Sequence, residues 1–391
     1  MRVEFNYSLE RYNSFRLPVK ARRFLEYDNE DELTCLINDD KNHHTEFLSI
    51  GEGSNLLFIS DFKGVIFHSH IKGITVKADM PDSVLLRIGA AEHWDDVVAY
   101  AVTNGWSGIE NLSAIPGTAG AAAIQNIGAY GVEIKDVIET VEAINQLTGK
   151  KYFFSNKDCR YGYRHSFFKE TNNNSFIITA ILLRLQKKPH FKLDYGNLKE
   201  ALSYRGVELQ TKNVYDDKSS KREITIQVVR DTVMEVRRSK LPDPAVLGNA
   251  GSFFTNPVIP QSHFIDLKSR YSTIPFYPET ENSRSTISCC PESENSRATI
   301  SCCPESENSR STIPFYPEPG NCVKIPAGWL IEQCGFKGKR EGNVGVYEKQ
   351  ALIIVNHGGA TGLEIAVFAE KIRQAVFDKF GIRLVPEVKY V

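Results

Sequence analysis

The chain has 391 residues, with 47 Lys and Arg against 48 Asp and Glu for a formal charge of −1, and 41% of its residues are hydrophobic. That length accommodates two to three domains with buried cores, and the charge balance gives no support for holding a polyanion by bulk charge. The N-terminal stretch carries scattered charges with no apolar h-region, and apolar runs such as ALIIV (351–355) are far too short for a bilayer, so a cytoplasmic enzyme is the expectation.

In chain order, residues 44–69 alternate short apolar runs with Gly, Ser and Asn clusters and read as strand, tight loop, strand, turn, strand. Residues 92–106 space Trp94, Val97, Val98, Ala101 and Val102 for one helical face that stops at Gly105. Residues 115–131, IPGTAGAAAIQNIGAYG, read as a long loop of small residues, and 132–187 as further strands. EITIQVVRDTV (223–233) fits a strand or the start of a helix, and RRSKLPDP (237–244) a loop held extended by its two prolines. Residues 272–310 are tandem units of 13 residues, with a further unit starting at 311. They are rich in Ser, Glu, Asn and Pro and too short for a solenoid, so they read as an inserted, exposed loop. GWLIEQCGF is helical in pattern, 361–380 is a strong amphipathic helix, and the tail ends as a strand. Helices and strands mix without regular βαβ alternation, which predicts an α+β fold.

Of eight cysteines, four lie in the repeats (Cys289, Cys290, Cys302, Cys303) and the others show neither disulfide nor CxxC spacing. Adjacent cysteines at a repeat period are poor zinc geometry, and no metal is expected.

Two loops carry the first chemical signal. Gly51, Gly53 and Ser54 follow an apolar strand, and Gly117, Gly120 and Ala121 to Ala123 follow Pro116. Small residues let backbone approach a ligand and present N–H groups to phosphate. Neither loop continues as GxGxxG or GxxxxGK[ST], so a plain turn is the competing reading for each. Three further residues stand in telling company. Arg164 sits among Tyr161, Tyr163, Phe167 and Phe168, where a guanidinium needs a carboxylate partner or an anionic substrate. Ser252 lies in a Gly-Asn-Ala-Gly turn before two phenylalanines, and Glu387 is flanked by Val385, Pro386 and Val388, company that favours partial protonation of an acid. A salt-bridge arginine, a turn serine and an exposed strand glutamate are the plain alternatives.

GEGSNLL, IPGTAGAAAIQNIGAYG, CRYGYRHSFFK, SKLPDP, GNAGSFFTNP, PAGWLIEQCGFKG and LVPEV, in this order, resemble the UDP-N-acetylenolpyruvoylglucosamine reductase family from about Asn13 to Val388, interrupted by the repeats. The resemblance implies a two-subdomain FAD-binding module of the vanillyl-alcohol-oxidase type, at 1–70 and 71–235, followed by an α+β substrate domain at 236–391. It also implies a monomer that uses NADPH, FAD and UDP-N-acetylglucosamine-enolpyruvate in peptidoglycan precursor synthesis. Carried onto matching positions, Gly51, Gly53, Ser54, Asn55, Pro116, Gly117, Gly120, Ala122 and Ile124 would surround FAD. Arg164, Ser252 and Glu387 would be catalytic. Tyr195, in the substrate-closing loop of the family's first subtype, would contact substrate or NADPH with Lys240, Asn256 and Gln350. Thr255 replaces a frequent lysine, so one cationic contact would be missing or supplied from another position.

The chemistry of that reaction is a hydride from NADPH to flavin N5 and then to the enolpyruvyl methylene carbon, with a proton to the neighbouring carbon and negative charge gathering on the adjacent carboxylate. Arg164 and Glu387 would stabilise that charge and Ser252 would donate the proton, assisted by a cation such as Lys240. An oxidase or dehydrogenase on the same FAD module, and a catalytically inert flavoprotein disabled by the repeats, are the rival readings.

Overall fold

The computed structural model describes residues 1–39, 46–170, 173, 175–194, 198–205, 223–278 and 322–391. The repeat cysteines, residues 279–310 of the expected exposed loop and Tyr195 fall outside these residues.

The N-terminal segment supplies β1 (Arg2–Ser8), β2 (Lys20–Tyr27), β3 (Phe47–Ile50), β4 (Leu56–Leu57) and β5 (Phe62–Ser69). Four of them form a sheet ordered β1-β2-β5-β3, with β5 parallel to both β2 and β3. α1 (Glu30–Asn38) begins where the Asn29 side chain accepts a bond from the Glu32 amide, satisfying one of the donors a helix start leaves open. It buries Leu33, Leu36 and Ile37 against Leu25, Tyr27, Val65 and Phe67 on one face of the sheet.

The next segment adds β6 (Ile74–Asp79), β7 (Ser83–Gly89), a small hairpin of β8 (Gly128–Ala129) and β9 (Val132–Glu133), then β10 (Ile138–Asn145), β11 (Lys151–Ser155) and β12 (Phe176–Gln186). They make an antiparallel sheet ordered β11-β10-β12-β7-β6. β12 is central and almost wholly buried, hence its near-continuous apolar run rather than a clean alternation. α2 (Trp94–Thr103) and α3 (Ala119–Gln125) share a core with this sheet. α4 (Leu198–Tyr204) packs Leu198 and Leu202 on Val229 and Val233 of α5 (Ile226–Lys240). A bidentate Arg230–Asp95 pair at 2.7 and 2.8 Å fastens α5 to α2.

The last segment contains β13 (Gly248–Asn249), β14 (Val258–Pro260), α6 (Gln261–Arg270), β15 (Tyr277–Pro278), β16 (Cys322–Lys324), α7 (Ala327–Gln333), β17 (Arg340–Glu341), β18 (Val344–Val346), β19 (Ile354–Asn356), α8 (Gly362–Phe380) and β20 (Lys389–Tyr390). α8 starts in a capping box between Thr361 and Glu364 and stops at Gly381, whose φ of +67° suits a glycine. Its apolar face joins Phe24, Leu48, Ile50 and Ile66 of the first sheet in one core, so the first and last segments are packed together. β20 returns to pair in parallel with β4.

Three local readings need correction. Residues 119–125 are helical rather than loop, because Ala and Gly let α3 pack tightly on Ala90, whose carbonyl accepts from the Gly120 amide at 3.0 Å. The extended loop expected at 237–244 is the second: 223–233 enters a helix at Ile226, one of its two readings, capped by the Thr225 side chain, and α5 runs through Arg237–Lys240 before the chain turns extended at Leu241. The prolines end that helix; they do not prevent its last turn. Cys322 is disulfide-bonded, which the cysteine spacing did not indicate.

β15 has a consequence for the repeats. Residues 272–278 read STIPFYP, and 311–317 repeat that string without change. In the described copy Ile274 is buried, Phe276 lies 4.9 Å from Phe264, and Tyr277 and Pro278 pair with Lys324 and Val323. Deleting 272–310 offers the same seven residues to the same slot and leaves a short connection, EPGN, before Cys322, within the span of an ordinary hairpin. The deletion variant is expected to fold, bind flavin and keep its turnover; a colourless or insoluble product would show that the insertion is part of the architecture.

Candidate functional site

A cavity of about 320 Å³ opens between the two sheets and the C-terminal segment. Its floor is the loop after β3. Gly51, Gly53, Ser54 and Asn55 all line it, and the loop is clamped from several sides. Gly53 has φ +67°, and a Cβ there would collide with the Tyr12 carbonyl oxygen, so this position requires glycine. Asn55 Nδ2 donates to the Glu387 carbonyl at 3.1 Å, and the Asn55 carbonyl accepts from the Lys389 amide at 3.0 Å. Ser54 Oγ lies 3.4 Å from the Pro116 carbonyl, joining the floor to the opposite wall.

That wall is the start of α3. Pro116, Ala122 and Ile124 line the cavity, together with Ala121 and Gln125. Gly117 and Gly120 do not line it. Gly117 turns the chain at φ +113° with its amide on Glu52 Oε2 at 3.1 Å, and Gly120 serves helix packing.

The third wall joins residues far apart in sequence. Phe254 and Pro386 form an antiparallel bridge, the Thr255 amide donates to the Val385 carbonyl at 2.9 Å, and the Glu387 amide donates to the Phe253 carbonyl at 2.8 Å. This pairing brings Ser252 and Glu387 to the same edge of the cavity. Ser252 is exposed to that space, and its hydroxyl has no hydrogen-bond partner among the described residues. Thr255 is spent on the pairing, its hydroxyl 3.3 Å from the Val385 carbonyl.

Arg164 reaches the same edge from the loop between β11 and β12. Its backbone is left-handed, φ +55°, and its Nη2 donates to the Gly128 carbonyl at 2.7 Å while Nε meets Glu387 Oε1 at 2.9 Å. Each side chain of the pair is 18% exposed. Burial pulls the Arg164 guanidinium down, but Glu387, Tyr163 and Glu133 outweigh it and hold the group above its ordinary value. The apolar company expected for Glu387 is therefore corrected. Val385, Pro386 and Val388 are its neighbours in sequence only, and a guanidinium is its neighbour in space.

Lys240, Asn256 and Gln350 do not line the cavity. Lys240 is exposed at the end of α5. Asn256 Oδ1 accepts from the Ala327 amide at 2.9 Å, holding the start of α7, and Gln350 Oε1 lies 3.4 Å from the Leu352 amide. The sequence reading missed two cations that do line it, Arg237 and Lys389. Burial lowers both from their ordinary values. Arg237 has Nε on the Ala114 carbonyl at 3.2 Å, and no carboxylate pairs with it among the described residues. A guanidinium kept in a cavity without a counter-charge suits an anionic ligand. Its signal was present in RRSK, one helical turn before Lys240, but only a helix extending through those residues aims it inward.

The small-residue floor and the cavity-lining Arg237 and Lys389 fit a ligand carrying a pyrophosphate. Comparison with known proteins points the same way. Residues 21–151 match the pattern of an FAD-binding domain, and residues 243–391 match that of the UDP-N-acetylenolpyruvoylglucosamine reductase C-terminal domain. UDP-N-acetylenolpyruvoylglucosamine reductases from Porphyromonas gingivalis and Bacteroides fragilis are 42% and 41% identical, each alignment covering all of both chains. The crystal structure of the corresponding reductase from Thermus caldophilus superposes with a TM-score of 0.61 at 18% identity, over 100% of this chain and 99% of that one, which shows a shared fold.

Proposed function

Because the chain belongs to the UDP-N-acetylenolpyruvoylglucosamine reductase family, we propose that it reduces the enolpyruvyl ether of UDP-N-acetylglucosamine-enolpyruvate to UDP-N-acetylmuramate with NADPH. The observation that carries this reading is the meeting of Ser252, Glu387 and Arg164 at one edge of a cavity lined by the loop of the FAD-binding domain. When bound, FAD supplies the hydride transfer from NADPH to the alkene that no side chain can perform.

The protein's own residues supply binding, charge and a proton. Gly51, Gly53, Ser54 and Asn55 with Pro116, Ala122 and Ile124 would enclose the cofactor, and Arg237 would meet its pyrophosphate. Arg164 would face the substrate carboxylate as charge builds on it. Glu387 holds the guanidinium in place through Nε and adds a second group at the same edge. Contacts that strengthen as charge develops lower the barrier rather than only tightening substrate binding. Ser252, unengaged and facing the cavity, would deliver the proton. Lys240 is too exposed to be its obvious partner, and the cations lining this cavity are Arg164, Arg237 and Lys389.

The direct test is NADPH consumption by the yellow holoenzyme with and without the enolpyruvyl substrate. Consumption that depends on the substrate supports the reading; a flavin reduced by an alcohol or sugar and quickly reoxidised by O₂ would replace it with an oxidase. Arg237→Met is expected to weaken FAD binding about 10-fold or more, the scale of one charge-assisted hydrogen bond, as read by quenching of flavin fluorescence on titration of the apoprotein.

A further inference from the structure

The parallel pairing of β2 and β5 assembles a set of donors that the flavin chemistry leaves unused. Glu26 stands opposite His68 in the register, and His70 follows past the end of β5, its amide bonded to the Tyr27 carbonyl at 2.8 Å. Glu26 Oε1 lies 3.2 Å from His68 Nδ1 and 3.3 Å from His70 Nε2, and one ligand atom from each of the three residues falls within 4.8 Å of the other two. With metal bonds of about 2.0–2.1 Å, neighbouring ligand atoms of a tetrahedral zinc site stand about 3.3 Å apart. The Glu26–His68 and Glu26–His70 separations match that edge.

We propose that Glu26, His68 and His70 form a binding site for a divalent transition metal of the zinc class, with solvent as the fourth ligand. Two imidazole nitrogens and one carboxylate oxygen select Zn²⁺ and its first-row neighbours over Mg²⁺ and Ca²⁺, which take oxygen-rich sets. The second layer supports the assignment. His70 Nδ1 lies 3.3 Å from Asp28 Oδ1, the carboxylate–imidazole contact that fixes a ligating histidine's tautomer and leaves Nε2 for the metal. Arg2 Nη1 engages the other Glu26 oxygen at 3.2 Å, so Oε1 is the one turned to the imidazoles. His68 is held by rings, 4.7 Å edge-on from Tyr12 and 5.6 Å stacked on Phe24. Glu26 and His68 are largely covered while His70 is 44% exposed, which gives a route for the ion and room for water. Arg2 is the opposing cation, and Asp28 offsets it.

Tyr12 links this site to the cavity floor. Its hydroxyl donates to Glu26 Oε1 at 3.2 Å, and its carbonyl is the atom packed against Gly53. The metal would therefore brace the C-terminal ends of β2 and β5 next to the tyrosine that supports the first loop.

The alternative is a self-satisfied hydrogen-bond cluster, and stoichiometric metal uptake separates the two. The FAD holoenzyme, stripped of metal, is titrated with Co²⁺ while its visible d–d bands are followed to the red of the flavin, and Zn²⁺ uptake is measured by equilibrium dialysis. One equivalent is expected, with affinity lowered at least about 10-fold in His70→Ala and in Glu26→Gln and unchanged in His190→Ala, an exposed histidine outside the cluster. His70→Ala removes an exposed side chain, so its flavin spectrum and melting curve in the absence of metal should match those of the parent. Failure to take up one equivalent, or equal uptake by the parent and His70→Ala, overturns the proposal.

Discussion

Ser252→Ala is expected to leave NADPH-driven reduction of the bound flavin at its parental rate while slowing reduction of the enolpyruvyl substrate by at least about 10², the lower end of what a positioned proton donor contributes. The two half-reactions separate cleanly in stopped-flow absorbance of the flavin. Folding should not change, because the Ser252 side chain is exposed to the cavity and its hydroxyl has no hydrogen-bond partner among the described residues. The backbone that positions it is unaffected, since the Phe253 amide remains on the Leu352 carbonyl at 2.8 Å and the Gly251 amide on Asn249 Oδ1 at 2.9 Å. A variant in which both half-reactions run at the parental rate would remove Ser252 from the proton transfer.

Arg164→Lys should also cut enolpyruvyl reduction, by about 10² to 10³, the cost of losing one donor aimed at developing charge. Charge is kept in this variant, but the planar fork is not. Arg164 uses Nε on Glu387 and Nη2 on the Gly128 carbonyl at once, and a single ammonium cannot reproduce both directions. Glu387→Gln removes the other half of the pair. The double variant should lose much less than the product of the two single losses, because each single change already disrupts the same contact. Full multiplicativity in kcat/KM would mean that the 2.9 Å ion pair is not a functional unit.

The metal-site variants and the cavity variants should behave independently. His70 does not line the cavity, whereas Ser252, Glu387 and Arg164 do. An effect of His70→Ala on the substrate half-reaction without metal present would indicate that the two regions are coupled through the β2–β5 sheet itself.

Much of the site was legible as chemistry in the string of residues. The glycines before Asn55, the arginine among aromatic rings, the serine after Asn-Ala-Gly and the glutamate near the end each stand out by an unusual local composition. Helices α2 and α8 were legible as well, since burial of one face imposes a 3.6-residue period and their stop signals are local. The last turn of α5 was not. Two prolines follow it, and the pairing of Arg230 with Asp95 and burial of Val233 and Val236 keep the helix going through Arg237 regardless of what comes after. This extension places Arg237 in the cavity and leaves Lys240 outside it.

By itself, then, the sequence determined which side chains were available for the chemistry and which backbone turns could lie close to a ligand. Tertiary structure decided which of them meet. Ser252 and Glu387 share an edge because backbone N–H and C=O groups of 253–255 pair with those of 385–387, and such pairing leaves no local mark in either segment. The Arg164–Glu387 contact likewise joins the turn between β11 and β12 to the C-terminal segment, and it turned an acid that looked isolated among apolar residues into one half of an ion pair. Glu26, His68 and His70 follow the same rule. A parallel register sets residues 42 positions apart side by side, a spacing that no linear metal motif contains.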